Sequence, residues 1–195
     1  MNLSFKQYRA IDLTIMGVIL FFSEFLTATA ASRWFPDQLY ALSPTITVVC
    51  IVMMRWNGYA AIHAVLGGLI FCLASGAEEK QIIVYCIGNC FALVALTLFK
   101  AMGKEKIRST FYYTLIFVLA AFFGAELGRW IISIIFGEHL DSIVTFLLSD
   151  LITFIFTVVV VLITRRVDGL FEDQRSYLIR TEEERRKAEA EKYYK

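Results

Sequence analysis

The chain has 195 residues, of which 58% are hydrophobic and only 19% charged, so it is too apolar for an ordinary soluble domain. Its net charge of +1 gives no bias towards nucleic acid, and no partner of that kind is expected. The length allows one membrane domain, residues 1–166, followed by a charged cytoplasmic tail, residues 167–195, but no second soluble domain.

Six apolar stretches predict six membrane-spanning helices and therefore an all-α polytopic membrane protein. Most of the stretches approach or exceed the roughly 20 residues that a helix needs to cross a bilayer. The second and third are shorter and share a tight connection at residues 55–58, which predicts a helical hairpin, with a single re-entrant pair as the alternative. The predicted spans are Ile11–Ala31, Leu39–Met54, Gly58–Ser75, Gln81–Ala101, Thr110–Phe136 and Ser142–Thr164.

The first stretch has a rival interpretation as a signal peptide. Lys6 and Arg9 precede its apolar run, and residues 28–30, Ala-Thr-Ala, resemble a cleavage site. Asp12 and Glu24, however, interrupt the run near its two ends, and the run is long enough to remain as a spanning helix. We therefore expect a retained first helix.

The distribution of lysine and arginine predicts that both termini lie in the cytoplasm. With the N-terminus inside, the outer loops hold only Arg33 and Lys80, as the positive-inside rule requires. This orientation predicts a multi-pass protein of the cell membrane. The basic residues on the cytoplasmic side are then Lys6, Arg9, Arg55, Lys100, Lys104, Lys106, Arg108, Arg165 and Arg166.

The C-terminal tail is predicted to be a charged helix. Leu170, Phe171, Tyr177 and Leu178 recur with the spacing of one helical face, which we expect to lie on the membrane interface. Beyond Thr181 the charged run predicts a solvated helix end, and the alternative is a docking surface for a cytoplasmic partner.

Polar groups inside the spans are the main clue to function, because ionisable groups in a bilayer are costly. At a rise of 1.5 Å per residue, five of them lie about 10–16 Å below the outer face and form one layer. They are Glu24, Asn89, Glu126, Arg129 and Asp150.

Two interpretations of this layer are open, hydrogen bonding between helices and a ligand site. Three carboxylates cannot all pair with the one guanidinium of Arg129, which favours a small-molecule substrate with a cationic or donor-rich face. Trp34 in the first outer loop is expected to anchor the chain at the interface or to cover this site.

The remaining motifs concern packing and chemistry. Gly124 and Gly128 predict close helix packing beside Glu126, as does the stripe Ala60, Ala64 and Gly68. The four cysteines lack histidine or carboxylate neighbours, so no metal site is expected. Phosphate-binding and hydrolase signatures are missing from the sequence, so we expect neither an enzyme nor a cofactor.

Three short segments resemble the substrate-binding S components of energy-coupling factor transporters for vitamins and micronutrients. They are Leu-Ser-Pro-Thr at 42–45, Met-Arg-Trp-Asn-Gly-Tyr-Ala-Ala at 54–61, and Gly-Gly at 67–68. The resemblance implies a six-helix body with a pocket that opens outward and captures a small metabolite or vitamin. It also implies a transmembrane coupling protein and two ATP-binding-cassette ATPases as partners.

The sequence departs from this family at the coupling motif, an alanine-xxx-alanine pattern on the first helix. The nearest equivalents are Ser23, Thr27 and Ala31, close to the outer end, and the stripe that begins at Ala60 is an alternative coupling surface. A structural membrane subunit of the cell-shape type, which recruits a cytoplasmic complex through its tail, is the alternative function.

Overall fold

The computed structural model describes residues 4–34, 42–140 and 142–193, and every regular element within these ranges is helical. The prediction of an all-α protein is therefore confirmed. The helices are α1 (Phe5–Trp34), α2 (Thr45–Trp56), α3 (Ala60–Ser75), α4 (Glu79–Gly88), α5 (Thr97–Met102), α6 (Lys104–Ser109), α7 (Phe111–Ile135), α8 (Ser142–Ser149), α9 (Leu151–Thr164) and α10 (Gln174–Tyr193). Two 3₁₀ segments, Asn57–Tyr59 and Asn89–Leu96, connect α2 to α3 and α4 to α5.

The chain is a membrane protein by the length and apolarity of its helices. Four helical stretches within the described ranges are long and apolar enough to cross a membrane, and a fifth is added if α8 and α9, which meet at 44°, count as one span. The outer surface is rich in large apolar side chains: Phe22 is 60% and Leu26 65% exposed. Such a surface is stable in contact with lipid and not with water. The four stretches are Phe5–Trp34, Thr45–Ser75, Glu79–Met102 and Phe111–Ile135.

The stretch from Thr45 to Ser75 folds back on itself. A Cβ added at Gly67, in the middle of α3, would lie 2.2 Å from Oγ1 of Thr45 at the start of α2, so the two helices are antiparallel. The chain reverses at Asn57, whose φ is 54°. Helices α2 and α3 therefore form a hairpin, a geometry shared by the predicted pair of spans and by the re-entrant alternative. Six spans are not confirmed, because the 12 residues of α2 rise only about 18 Å against a hydrocarbon core of about 30 Å.

Helix α2 forms the centre of the bundle, and all 12 of its residues are buried. Its two ends are capped by charged side chains from other elements. A carboxylate oxygen of Glu24 on α1 accepts a hydrogen bond from the Thr45 N–H (3.0 Å), and Lys104 Nζ donates one to the Met54 carbonyl (2.7 Å). An acid at the N-terminus and a base at the C-terminus both complement the helix dipole and satisfy backbone groups that the helix leaves free.

Small residues let the helices of the bundle approach closely, as predicted. A Cβ at Gly128 on α7 would lie 2.4 Å from the Gly88 carbonyl oxygen, and one at Gly124 would lie 2.6 Å from that of Phe91. On α3, a Cβ at Gly68 would lie 2.8 Å from the Tyr85 carbonyl carbon. This part of α3 is covered by α4, and Ala60, Ala64 and Gly68 are all buried within the bundle.

The tail differs from its prediction where it leaves the bundle. Helix α10 begins only at Gln174, and Gly169, with a φ of 74°, lies in the preceding turn. Phe171 is fully buried and packs against Phe117, with ring centroids 6.2 Å apart. Phe171 therefore shares no helical face with Tyr177 at the membrane interface, because the bundle core is the larger apolar surface within its reach. Residues 183–190 are exposed, as expected both for a solvated helix end and for a docking surface.

Ion pairs attach the segment between α9 and α10 to the end of the bundle that carries the α2–α3 turn, here called the basic end. Lys104 Nζ lies 2.7 Å from Asp173 Oδ2, and Arg108 Nη2 lies 3.0 Å from Asp168 Oδ1. Arg55, at the end of α2, donates to the Leu170 carbonyl (3.1 Å). The opposite end, with the α3–α4 and α7–α8 connections, is called the cleft end.

Candidate functional site

Three of the predicted polar residues meet in one buried cluster. Glu126 and Arg129 lie one turn apart on α7, and Asp150 lies at the break between α8 and α9. Arg129 donates from Nη1 to Asp150 Oδ2 (2.7 Å) and from Nη2 to Glu126 Oε1. All three residues are at most 3% exposed. The prediction that they occupy a common layer is confirmed, and this set is called the charged cluster.

Tyr85 covers the charged cluster on the side of the cleft end. The Arg129 guanidinium carbon lies 5.1 Å from the centre of the Tyr85 ring, which is a cation–π geometry. The centre of the Phe71 ring lies 4.9 Å from the centre of the same Tyr85 ring. Sequence reasoning missed Tyr85. Its position one turn before Asn89 on the same helical face was the available signal.

Glu24 lies outside this cluster and has partners of its own. Its Oε2 accepts hydrogen bonds from the Thr45 N–H (3.0 Å), Thr45 Oγ1 (2.6 Å) and Ser43 Oγ (2.9 Å). A carboxylate at a helix N-terminus is stabilised by the backbone N–H groups and the dipole. Glu24 is therefore compensated by α2 and not by Arg129, so that two acids, Glu126 and Asp150, and not three, face the one guanidinium.

Asn89 and Trp34 are placed differently from the cluster residues. The Asn89 amide donates across to the Ala64 carbonyl of α3 (3.5 Å), which is the interhelical hydrogen bonding considered as an alternative for the polar layer. Trp34 is 74% exposed at the end of α1.

Several buried polar atoms of the layer lack a hydrogen-bond partner among the described residues. They are Glu126 Oε2, Arg129 Nε and Glu24 Oε1. Unpartnered buried polar atoms are rare in folded proteins, so this layer has capacity for a bound water, a proton or a ligand group. Within the described ranges no group of three or more histidine, cysteine and acidic side chains is arranged to hold a metal ion.

A cleft of about 280 Å³ lies between α4, the C-terminal end of α7, and α8. It opens at the end of the bundle that carries the α3–α4 and α7–α8 connections. Tyr85 forms part of its wall and also contacts Arg129, so a single aromatic ring separates this cleft from the charged cluster. The five predicted layer residues are not on its walls. Its polar lining residues, besides Tyr85, are Lys80, Gln81, Ser133, Glu138, Ser142 and Thr145.

In comparisons with known proteins, no family model matches this chain, and no curated protein or solved structure matches it either.

Proposed function

We propose that the chain is the membrane-embedded substrate-binding subunit of an ATP-driven importer, and that it captures a small metabolite or vitamin in the cleft beside Tyr85. The main support for this proposal is the size and the lining of the cleft. Its volume of about 280 Å³ lies just below the roughly 300–1,000 Å³ that is typical of small-molecule pockets, and its walls combine apolar side chains with a few polar groups.

The charged cluster holds Tyr85, a wall residue of the cleft, from the side that faces the interior of the bundle. Arg129 is held by two carboxylates and in turn holds the Tyr85 ring, so the base of the cleft is built from side chains with fixed partners. Binding sites of high affinity need such support, because mobile side chains lose entropy when a ligand orders them. The layer predicted from the sequence thus acts behind the binding surface.

The orientation inferred from the basic residues places the cleft on the outer side of the cell membrane and both termini in the cytoplasm. A solute then enters from outside. Because the sequence contains no phosphate-binding loop, the energy for uptake comes from partners. The resemblance to S components supports a transmembrane coupling protein and ATP-binding-cassette ATPases in that role.

The test fills the cleft and measures what the protein carries. Thr145 lines the cleft on α8, whereas Leu148 on the same helix is 56% exposed and is not one of its lining residues. Small molecules that co-purify with the full chain are identified by mass spectrometry for wild type, Thr145→Trp and the matched control Leu148→Trp. We expect a molecule that is present in wild type and Leu148→Trp and is lost in Thr145→Trp.

A molecule retained equally by all three proteins would place binding elsewhere, and the absence of any small molecule in wild type would count against a substrate-binding subunit. Equal folding of the two tryptophan variants is checked by circular dichroism and thermal unfolding.

One observation favours the scaffold as a second candidate. Helix α10 extends from Gln174 to Tyr193, and its segment 183–190, which carries six charged residues, is exposed to solvent. Such a helix offers a surface to a cytoplasmic complex. Pull-down of the full chain from its native membrane distinguishes the candidates, because the importer predicts recovery of ATPase subunits and the scaffold predicts recovery of cell-wall or division proteins.

A further inference from the structure

We propose that the solute of this cleft is a small zwitterion of amino-acid size, bound with its anionic group at Lys80 and its cationic group at Glu138. The inference rests on the proposed function and narrows the substrate class.

Lys80 and Glu138 approach the cleft from different walls. Lys80 is the second residue of α4, and Glu138 lies three residues beyond the end of α7. Both side chains are exposed, and neither makes an ion pair with a described residue. The cleft therefore presents one free positive and one free negative charge that do not neutralise each other.

Both charges occupy the unfavourable end of their own helix. A helix N-terminus stabilises acids and a C-terminus stabilises bases, whereas Lys80 lies in the first turn of α4 and Glu138 follows the C-terminus of α7. Neither side chain therefore stabilises its helix through the dipole. Glu79, the first residue of α4, already complements the positive end of that helix, so on this wall Lys80 alone favours an anionic group. On the other wall Glu138 and the α7 C-terminus together favour a cationic group.

Two hydroxyl groups that line the same cleft are suited to the same ligand. Ser142 Oγ is buried at the cleft wall and has no hydrogen-bond partner among the described residues, and Thr145 lies one turn further along α8. A hydroxyl both donates and accepts, so it serves either an ammonium or a carboxylate group. Below them Arg129 is already paired with two acids and adds little free charge to the cleft.

The test uses the purified full chain in lipid nanodiscs and a panel of free α-amino acids. Each amino acid is compared with its matching amine, which lacks the carboxylate, and its matching carboxylic acid, which lacks the amine. We expect at least one amino acid to bind about tenfold or more tightly than both analogues, because each analogue loses one charge-assisted contact.

Two variants assign the ends of the ligand. Lys80→Gln is expected to weaken the amino acid and the carboxylic acid about tenfold and to leave the amine unchanged, whereas Glu138→Gln weakens the amino acid and the amine. Lys106→Gln, an exposed position at the basic end, is the control and leaves binding unchanged. Three results would overturn the inference. No amino acid binds, a singly charged analogue binds as tightly as its amino acid, or both variants bind the amino acid with unchanged affinity.

These failures are distinguishable from failure of the proposed function. A singly charged or neutral molecule that Thr145→Trp displaces would remove the zwitterion and keep the importer subunit. A phosphatidylethanolamine headgroup has the same zwitterionic chemistry as an amino acid. Binding is therefore measured in nanodiscs with and without this lipid. If the lipid competes with the amino acid, the ligand is a headgroup; if the lipid does not compete, the ligand is a free solute.

Discussion

Replacement of Arg129 by methionine removes the only base of the charged cluster. Its guanidinium is hydrogen-bonded to Glu126 and Asp150, and both acids are at most 3% exposed. Methionine keeps much of the side-chain volume and the apolar stem but supplies no hydrogen-bond donor. The variant therefore leaves two buried carboxyl groups without the positive charge that they face.

The expected cost follows from the two ion pairs. Breaking one buried pair by removal of one partner typically costs about 3–5 kcal/mol. Two pairs are lost here, but they share one guanidinium and the carboxyl groups escape part of the penalty by taking up protons, so the costs do not add. We expect Arg129→Met to lower the free energy of unfolding by about 4–5 kcal/mol.

The assay is reversible unfolding of the purified chain in mixed detergent micelles, followed by circular dichroism. The comparison protein replaces the whole cluster with apolar side chains of similar size, Glu126→Met, Arg129→Met and Asp150→Leu together. Exchange of a complete buried ion cluster for apolar residues of similar volume is often nearly neutral, so we expect this triple variant within about 2 kcal/mol of wild type.

The reasoning is refuted if the free energy of unfolding of Arg129→Met is within about 1 kcal/mol of the wild-type value, which is well below the cost of about 3–5 kcal/mol for a broken buried pair. The buried acids would then need no compensating charge. It is also refuted if the triple variant is as unstable as the single one, because the loss would then come from packing around Arg129 and not from unpaired charge.

Two further predictions concern packing and pH. Gly128→Ala is expected to destabilise the bundle by about 1–3 kcal/mol, because its Cβ would lie 2.4 Å from the Gly88 carbonyl oxygen, whereas Gly58→Ala meets nothing within 4 Å; equal unfolding midpoints for both variants would contradict this. At the basic end burial acts to raise the pKa of Asp173, but the hydrogen bond and charge of Lys104 outweigh it and hold that pKa below its usual value. The stability from this depressed carboxyl pKa is present above about pH 4 and is lost as pH falls through the folded-state pKa. Asp173→Asn should therefore lower the free energy of unfolding by about 1–2 kcal/mol at pH 7, with a gap that closes in acid; a gap independent of pH would show that the charge is not involved.

The sequence alone was enough to predict an all-α membrane protein and the meeting of Glu126, Arg129 and Asp150, but not the number of spans. Apolar length predicted the membrane helices, and the spacing of Gly124 and Gly128 predicted a close contact, because both signals act within one helix. The common depth of Glu126, Arg129 and Asp150 also followed from counting residues along helices of known rise. These features depend on local geometry, which the order of residues largely determines.

Partners between helices were decided only by the tertiary structure. Glu24 resembles the other buried acids in sequence, yet its charge is compensated by the N-terminus of α2, which exists as a binding partner only after α2 is enclosed by the bundle. Phe171 has the spacing of an interfacial residue but is buried against Phe117. The cleft beside Tyr85 likewise depends on the distances between α4, α7 and α8. Hydropathy and periodicity state which face of a helix is buried or polar, but not which neighbour it meets, because that choice is made by the packing of all helices together.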